Sequence, residues 1–301
     1  MLKRKKGEGP LGDKLFPYLM VAPAVILFTA FVVYPFIRGL YISFFKWNGL
    51  SAMKPIGLKN YLNIFRDSDF WSAMRHTLYY ALCVTILKNV LGFSLAMLMK
   101  KITRGKGFFR TIIYMPVTLS YVVCGMLWTW IFNPTFGLLN NFLALIGAEG
   151  LILGWLSDPK VALYSVMVVD AWRWAGFHMV LYLAGLQSIP QEYYEAAEVD
   201  GANAFNRFWH ITVPQLNSVI VLNVLMAVTG AMVSNYDIVN VMTDGGPFGS
   251  TEVAMTYIYR TAFEFSNLGK ASAMSIVMFL ATLVFGLLQI STMTRDENYG
   301  N

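Results

Sequence analysis

Residues 15–37 form a run of 23 residues without one charged side chain. As a helix, about 20 mostly apolar residues cross the hydrocarbon core of a bilayer. The feature recurs. Residues 77–99 are apolar apart from Lys88, and 111–133 hold no charge. Residues 161–189 hold only Asp170 and Arg173, while 214–235 and 271–294 again hold none. A shorter apolar stretch, 136–148, suits an interfacial or re-entrant segment. The pattern predicts an all-α integral membrane protein with six spanning helices. Composition agrees: 56% of the 301 residues are hydrophobic and 13% charged, against about 25% charged in a soluble chain. Mean hydropathy is +0.53. A soluble enzyme, a disordered chain and a coiled coil are excluded on these grounds.

The first run invites comparison with a secretory signal. It is too long for one, contains Pro17, Pro23 and Pro35, and ends without a small-x-small cleavage site. It reads as a retained first helix. Orientation follows from Lys and Arg. With the N-terminus inside, the inner segments 1–14, 100–110, 190–213 and the tail carry the larger share of these residues over the smaller length. The first outer loop, with Lys46, Lys54 and Lys59 among its cations, runs against the trend, but long outer loops weigh less. Both termini are therefore expected to be cytoplasmic. The chain divides into a basic N-terminus (1–14), a single transmembrane domain (15–294) and a short tail (295–301). The basic runs sit at membrane ends, so no nucleic-acid partner is expected. Cys83 and Cys124 fall inside apolar runs and read as small buried residues rather than a disulfide or metal pair.

Motifs for chemistry are missing. Gly105-Lys106 and Gly269-Lys270 lack the upstream Gly and following Ser/Thr of a phosphate loop. The three histidines are scattered, and no G-x-S-x-G elbow occurs. No catalytic residue and no metal ligand is expected, nor ATP binding by this chain.

The informative stretch is 187–215, QSIPQEYYEAAEVDGANAFNRFWHITVPQ. Pro190 suits a helix start. Asp200-Gly201 is a stop signal, since Gly adopts the left-handed cap. Residues 202–209 can form a second short helix before Pro214. The segment thus reads as helix, sharp turn, helix between spans four and five. Ala196, Ala197, Gly201 and Ala202 are small enough for close approach by a partner. Phe205, Phe208 and Trp209 offer apolar anchors, and Glu195 and Asp200 offer charge. On physics alone, packing of this pair on its own bundle is an equal alternative.

The spacing Glu195-Ala196-Ala197, then Gly201-Ala202, then Ile211 to Pro214, resembles the EAA loop of permease subunits in binding-protein-dependent ABC importers. S-I-P-x-E-Y-Y before it and F-x-x-I-T-V-P after it are similar to the carbohydrate-uptake branch. Thr243-Asp244-Gly245-Gly246-Pro247, Ser250-Thr251-Glu252 and Tyr259-Arg260-x-Ala262-Phe263 resemble the first permease of maltose-type and multiple-sugar systems, as do Pro17 to Ala24 and Tyr34-Pro35. The likeness runs over nearly the whole chain; Lys88 is a departure to which it gives no role. It implies the type I importer permease fold, with 190–213 as a cytoplasmic coupling loop. The implied partners are a second permease, two cytoplasmic ATPases that bind ATP and Mg, and an extracytoplasmic sugar-binding protein. It also implies that Glu195, Ala196, Ala197, Asp200, Gly201, Ala202 and Pro214 couple the chain to an ATPase.

Polar groups within the hydrocarbon are costly and mark partners or pathways. Asp170 and Arg173 stand three apart on one helix, where they can pair with each other. Alternatively Asp170, Arg173, Trp174 and Phe177 line a substrate path, Trp174 giving a platform for sugar C–H faces. Lys88 is a further partner open to Asp170. Met232, Asn235 and Tyr236, near the end of span five, form a second candidate group, with helix–helix hydrogen bonding the alternative for Asn235. His178 reads as a structural hydrogen-bonding residue. Residues 244–248, DGGPF, form a turn-rich outer segment that either contacts a binding protein or orders the connection to span six. A glycerol-phosphate importer permease is the nearest rival, because Arg173 and Lys88 suit an anion. A secondary transporter is a more distant one, lacking the inverted repeats and coupling acids expected of it.

Overall fold

In the computed structural model the backbone is described for residues 11–298 and the side chains for 16–289. The basic residues at 3–6, Lys14 and Arg295, on which part of the orientation argument rests, lie outside the described side chains.

Apolar runs become helices because only a helix satisfies every backbone group within one segment of hydrocarbon. Helix α1 (Leu11–Phe28) passes through a π-turn (Thr29–Val33) into α2 (Tyr34–Ile42). Residues Phe16–Ile42 form one apolar span with no buried side chain. Its surface suits lipid or a partner helix. A two-residue hairpin, β1 (Phe45–Lys46) and β2 (Lys54–Pro55), leads to α3 (Lys59–Phe65). Helix α4 (Ser68–Lys101) starts nine residues earlier than its apolar run, because Asp67 caps it by accepting from the Asp69 and Phe70 amides.

The third apolar run is not one helix. It is α5 (Lys106–Thr118) and α6 (Tyr121–Ile131), bent by 99°. Pro116 removes an amide donor, Leu119 is extended, and the Ser120 hydroxyl caps α6 by accepting from the Val123 amide. The interfacial stretch becomes α7 (Leu138–Leu145). Helix α8 (Ala162–Ser188) matches its run. The segment 190–215 folds as α9 (Gln191–Val199) and α10 (Ala204–Arg207), then a π-turn (Phe208–Thr212) and α11 (Val213–Gln215). The fifth run is likewise divided: the stretch Ala204–Gln215 meets α12 (Asn217–Val233) at 67°. Short helices α13 (Tyr236–Met242) and α14 (Ala254–Phe263) precede α15 (Leu268–Asn298).

Among the described residues three helices are long and apolar enough to cross a membrane, or five if each bent pair is one span. Helix α8 falls outside that set although it is 27 residues long. The chain gathers into two compact units. One comprises residues up to Ile64 with Thr261–Val277, the other Phe65–Arg260 with residues from Met278 on.

In the larger unit α8 is the central helix. Its buried residues fall on every face, from Val166 and Asp170 to Met179, Leu183 and Leu186. It packs on α4, α5 and α12. Two glycines set how near the neighbours come. A Cβ on Gly92 of α4 would stand 2.5 Å from the His178 Cβ, and one on Gly176 of α8 would stand 2.2 Å from the Ile113 carbonyl oxygen. Further along α4 and α8, Ala96, Met99 and Tyr182 join Leu216 in a buried apolar core.

Candidate functional site

The close approach of α4 and α8 brings Lys88 Nζ within 2.8 Å of Asp170 Oδ2, with both side chains about 4% exposed. Asp170 therefore pairs across helices, and the i,i+3 pairing with Arg173 is not formed. The reason lies in the α5–α6 break, which leaves carbonyls without helical donors. Arg173 supplies them: Nε donates to Leu119 O at 3.2 Å, and one terminal nitrogen donates to Leu119 O at 2.8 Å and Val117 O at 3.3 Å. Its guanidinium also lies 3.9 Å from the centre of the Tyr121 ring. A planar group with five donors suits this task where a lysine would not.

Beside these charges lies a cavity of about 230 Å³, lined among others by Lys88, Tyr121, Trp174, Phe177, His178 and Thr229. Trp174 and Phe177 meet edge to face at 5.5 Å. The indole is fixed because its Nε1 donates to Tyr121 Oη at 2.8 Å. Lys88 Nζ lies 5.6 Å from the Trp174 ring centre. His178 Nδ1 meets the fully buried Asn223 Oδ1 at 2.8 Å, a structural bond of the kind its sequence context suggests. The wall is thus an aromatic corner with a neutralised ion pair behind it. Of the first group of path candidates, Trp174 and Phe177 line the cavity, while Asp170 and Arg173 stand behind it and hold its wall. The second group is elsewhere. Met232 and Asn235 are closed in, and from the turn after α12 the Asn235 side-chain nitrogen donates back to Ala231 O. Tyr236 packs on Tyr259, ring centres 4.9 Å apart. Tyr121 and Thr229 were not singled out from the sequence. Tyr121 follows the helix break, and Thr229-Gly230 interrupts an otherwise apolar segment; those were the available signals.

The loop around α9 is ordered from within. Helix α9 ends in a Schellman motif: Gly201 N donates to Glu198 O at 3.1 Å and Ala202 N to Ala197 O at 2.8 Å. Gly201 has φ +77°, which an L side chain resists. Asn203 then caps α10 by accepting from the Asn206 amide at 2.9 Å. Arg207 and Glu198 close the hairpin at 3.2 Å. Glu195, Ala196 and Asp200 are exposed, and Ala197 and Ala202 half-exposed. Phe205 and Trp209 remain 69% and 51% exposed. Phe208 instead turns inward onto Phe93, ring centres 5.8 Å apart, so it anchors the loop to its own bundle. Pro214 lies in α11, at the bend into α12.

The T-D-G-G-P segment is tied down by a pair that sequence reading did not identify. Arg260 ion-pairs with Glu252, and its other terminal nitrogen reaches Asp244 Oδ1 at 3.2 Å and Asp244 O at 3.0 Å. Thr251 Oγ1 donates to Gly246 O at 2.7 Å. Nearby, Tyr257 Oη donates to both Asp67 oxygens at 3.2 Å; burial, with the Asp67 charge, pushes the Tyr257 hydroxyl up from its ordinary value. These bonds order a connection, which is one of the two roles expected for residues 244–248.

A helical bundle with a charge pair closed inside it and an aromatic-walled cavity among apolar helices is of the class of membrane transport subunits. Comparison makes this particular. The chain belongs to the family of binding-protein-dependent transport system inner membrane components, whose family model matches residues 88–291. It is 37% identical over 281 residues to YurN of Bacillus subtilis, a probable ABC transporter permease protein, covering 92% of this chain and 96% of that one. It is 33% identical to the trehalose/maltose transport system permease protein MalF of Thermococcus litoralis, covering 98% of both chains. It is 30% identical to the sn-glycerol-3-phosphate transport system permease protein UgpA of Agrobacterium fabrum, over 96% of this chain and 98% of that one. A chain in the crystal structure of a bacterial ABC transporter involved in the import of the acidic polysaccharide alginate superposes with TM-score 0.82 and 24% identity, covering 95% of this chain and 99% of that one. The shared architecture is the type I ABC importer permease fold.

Proposed function

We propose that this chain is one permease subunit of an ATP-driven sugar or oligosaccharide importer and forms half of its translocation pathway. The observation that carries the reading is the Trp174–Phe177 corner on a cavity whose one lining cation, Lys88, is already paired with Asp170. A neutral, hydroxyl-rich ligand with apolar C–H faces suits such a wall. Phosphate does not. Lys88 is neutralised by Asp170, and Arg173 is occupied by backbone carbonyls. Freeing either cation for a ligand would leave a buried group unpaired, at a cost of about 3–5 kcal/mol. This argues against the glycerol-phosphate alternative, although one relative carries that name.

The six-span reading counts α8 as a spanning helix. Its hydropathy is lowered by Asp170, Arg173 and His178, each of which has a partner inside the protein, and a central helix need not face lipid. Both termini are then cytoplasmic. Residues 190–213 lie on the cytoplasmic side as a coupling loop, with Glu195 and Asp200 offered to a basic group of an ATPase and Phe205 and Trp209 as apolar anchors. ATP and Mg belong to that partner, and closure of two ATPases would move the loops and switch the pore. A second permease and an extracytoplasmic sugar-binding protein complete the assembly. The test is the complex reconstituted in nanodiscs with its binding protein. ATPase stimulation by trehalose, maltose or a longer neutral oligosaccharide, with none by sn-glycerol 3-phosphate, is expected; the reverse order overturns the sugar assignment.

A further inference from the structure

Three buried polar atoms in the larger unit have no hydrogen-bond partner among the described residues: Asp170 Oδ1, Arg173 Nη1 and Tyr80 Oη. Their residues are 3%, 7% and 0% exposed. Such atoms cost stability, and folded proteins keep few of them. These three belong together. Asp170 and Arg173 stand three apart on α8 and share a face. The Tyr80 hydroxyl, from α4, lies beside the same carboxylate. One of the three atoms accepts and two donate. They compose a second seat for Arg173 that this conformation does not use.

Arg173 is drawn away from that seat by the α5–α6 bend, where Nε and Nη2 hold the Leu119 and Val117 carbonyls. The bend turns on two extended residues, Leu119 and Ser120. Were they helical, every group now held there would find another partner. In a continuous helix each amide donates to the carbonyl four residues back. Val117 O would take the Tyr121 amide, and Leu119 O the Val123 amide, which now caps α6 on the Ser120 hydroxyl. Arg173, released, would meet Asp170 Oδ1, with Tyr80 as the second donor. Asp170 Oδ2 would stay on Lys88, so the exchange frees no cation. Two arrangements, each satisfying its own set of groups, make the discrete pair of states that a packed core needs in order to switch.

We propose that Arg173 is a latch on the α5–α6 bend, exchanging the Leu119 and Val117 carbonyls for Asp170 Oδ1 as the permease changes conformation. The proposal rests on the importer reading, which supplies the alternation between states. The latch acts on the cavity through Tyr121. That residue opens α6, lies under the guanidinium at 3.9 Å, lines the cavity and fixes the Trp174 indole. Releasing the bend would therefore withdraw the aromatic corner from a bound ligand. The pairing of Asp170 with Arg173 that their spacing suggests then belongs to the other state of the cycle.

The test uses the full complex, in proteoliposomes for uptake and in nanodiscs for amide exchange. In the unaltered complex, exchange at residues 119–123 should differ by about tenfold or more between the nucleotide-free state and the state trapped with ATP and vanadate. No difference overturns the latch. Tyr80→Phe removes a hydroxyl that has no partner in this conformation, so its melting temperature should be unchanged or higher. Its kcat for uptake should nonetheless fall by about threefold or more at an unchanged KM. A lowered melting temperature with kcat retained would make the cluster merely structural and overturn the proposal. Lys88→Met with Asp170→Leu fills the same space without charge and removes the second seat. Its exchange at 119–123 should no longer respond to trapping, although its melting temperature approaches that of the unaltered complex. A response that persists overturns the assignment of Asp170. A complex that purifies without an ATPase would instead sink the importer reading, and that result appears before any of these measurements.

Discussion

Two residues decide how the centre of the bundle is charged. Lys88 and Asp170 are 82 positions apart and find each other only because α4 and α8 touch at Gly92. Removing one partner leaves the other charge buried, so Lys88→Ala or Asp170→Ala should each lower stability by about 3–5 kcal/mol. Intrinsic fluorescence melting in detergent should show this, with the Lys88→Met, Asp170→Leu pair recovering most of the loss. Trp174 tests the cavity. Trp174→Ala should raise KM for uptake by about tenfold or more while the complex still assembles; unchanged uptake kinetics would remove Trp174 from the path. Single residues of this kind were only half legible. Polar groups in apolar runs mark themselves, so Asp170, Arg173 and Lys88 stood out. The Lys88–Asp170 pair stood among the alternatives and is the one formed, whereas the carbonyl partners of Arg173 were not legible, because they depend on packing that no local pattern records. Asn235 illustrates the same limit: its side-chain nitrogen donates back to Ala231 O from the turn after α12, a local bond that its position near a span end did not announce.

At the scale of elements, the apolar runs located the helices and their order, while the breaks escaped notice. Hydropathy is nearly blind to a bend, since 111–133 is equally apolar on both sides of Ser120. The physical cue was Pro116 followed by a capping serine, and its consequence, free carbonyls for Arg173, appears only in three dimensions. Arg173→Leu should therefore loosen the α5–α6 bend itself, with faster amide exchange at residues 119–123 than at the centre of α8. The loop 190–213 was far more legible, because caps are local. Pro190, Asp200-Gly201 and Asn203 fix the turn through bonds within a few residues. Gly201→Val forces a β-branched side chain into φ +77°, at a cost of about 1–2 kcal/mol. Uptake should be lost while membrane insertion and helix content are kept. Retained uptake would separate the turn from function.

At the scale of the whole molecule, what distinguishes this chain is how little of its function it contains. Its central charge pair is closed inside the bundle, its cavity wall is mainly aromatic, and exposed apolar side chains cover the first span from Phe16 to Tyr41 as well as the loop bearing Phe205 and Trp209. On the importer reading proposed above, partner chains complete such surfaces and energy enters through an ATPase, so Glu195→Lys should uncouple transport from ATP hydrolysis without removing the chain from the membrane. The most direct test of the central claim is affinity purification of the chain from its native membrane in mild detergent, with co-eluting chains identified and counted by peptide mass. Recovery of a second permease and an ATPase in comparable amounts is the predicted result, and a homomer without any ATPase would contradict the account.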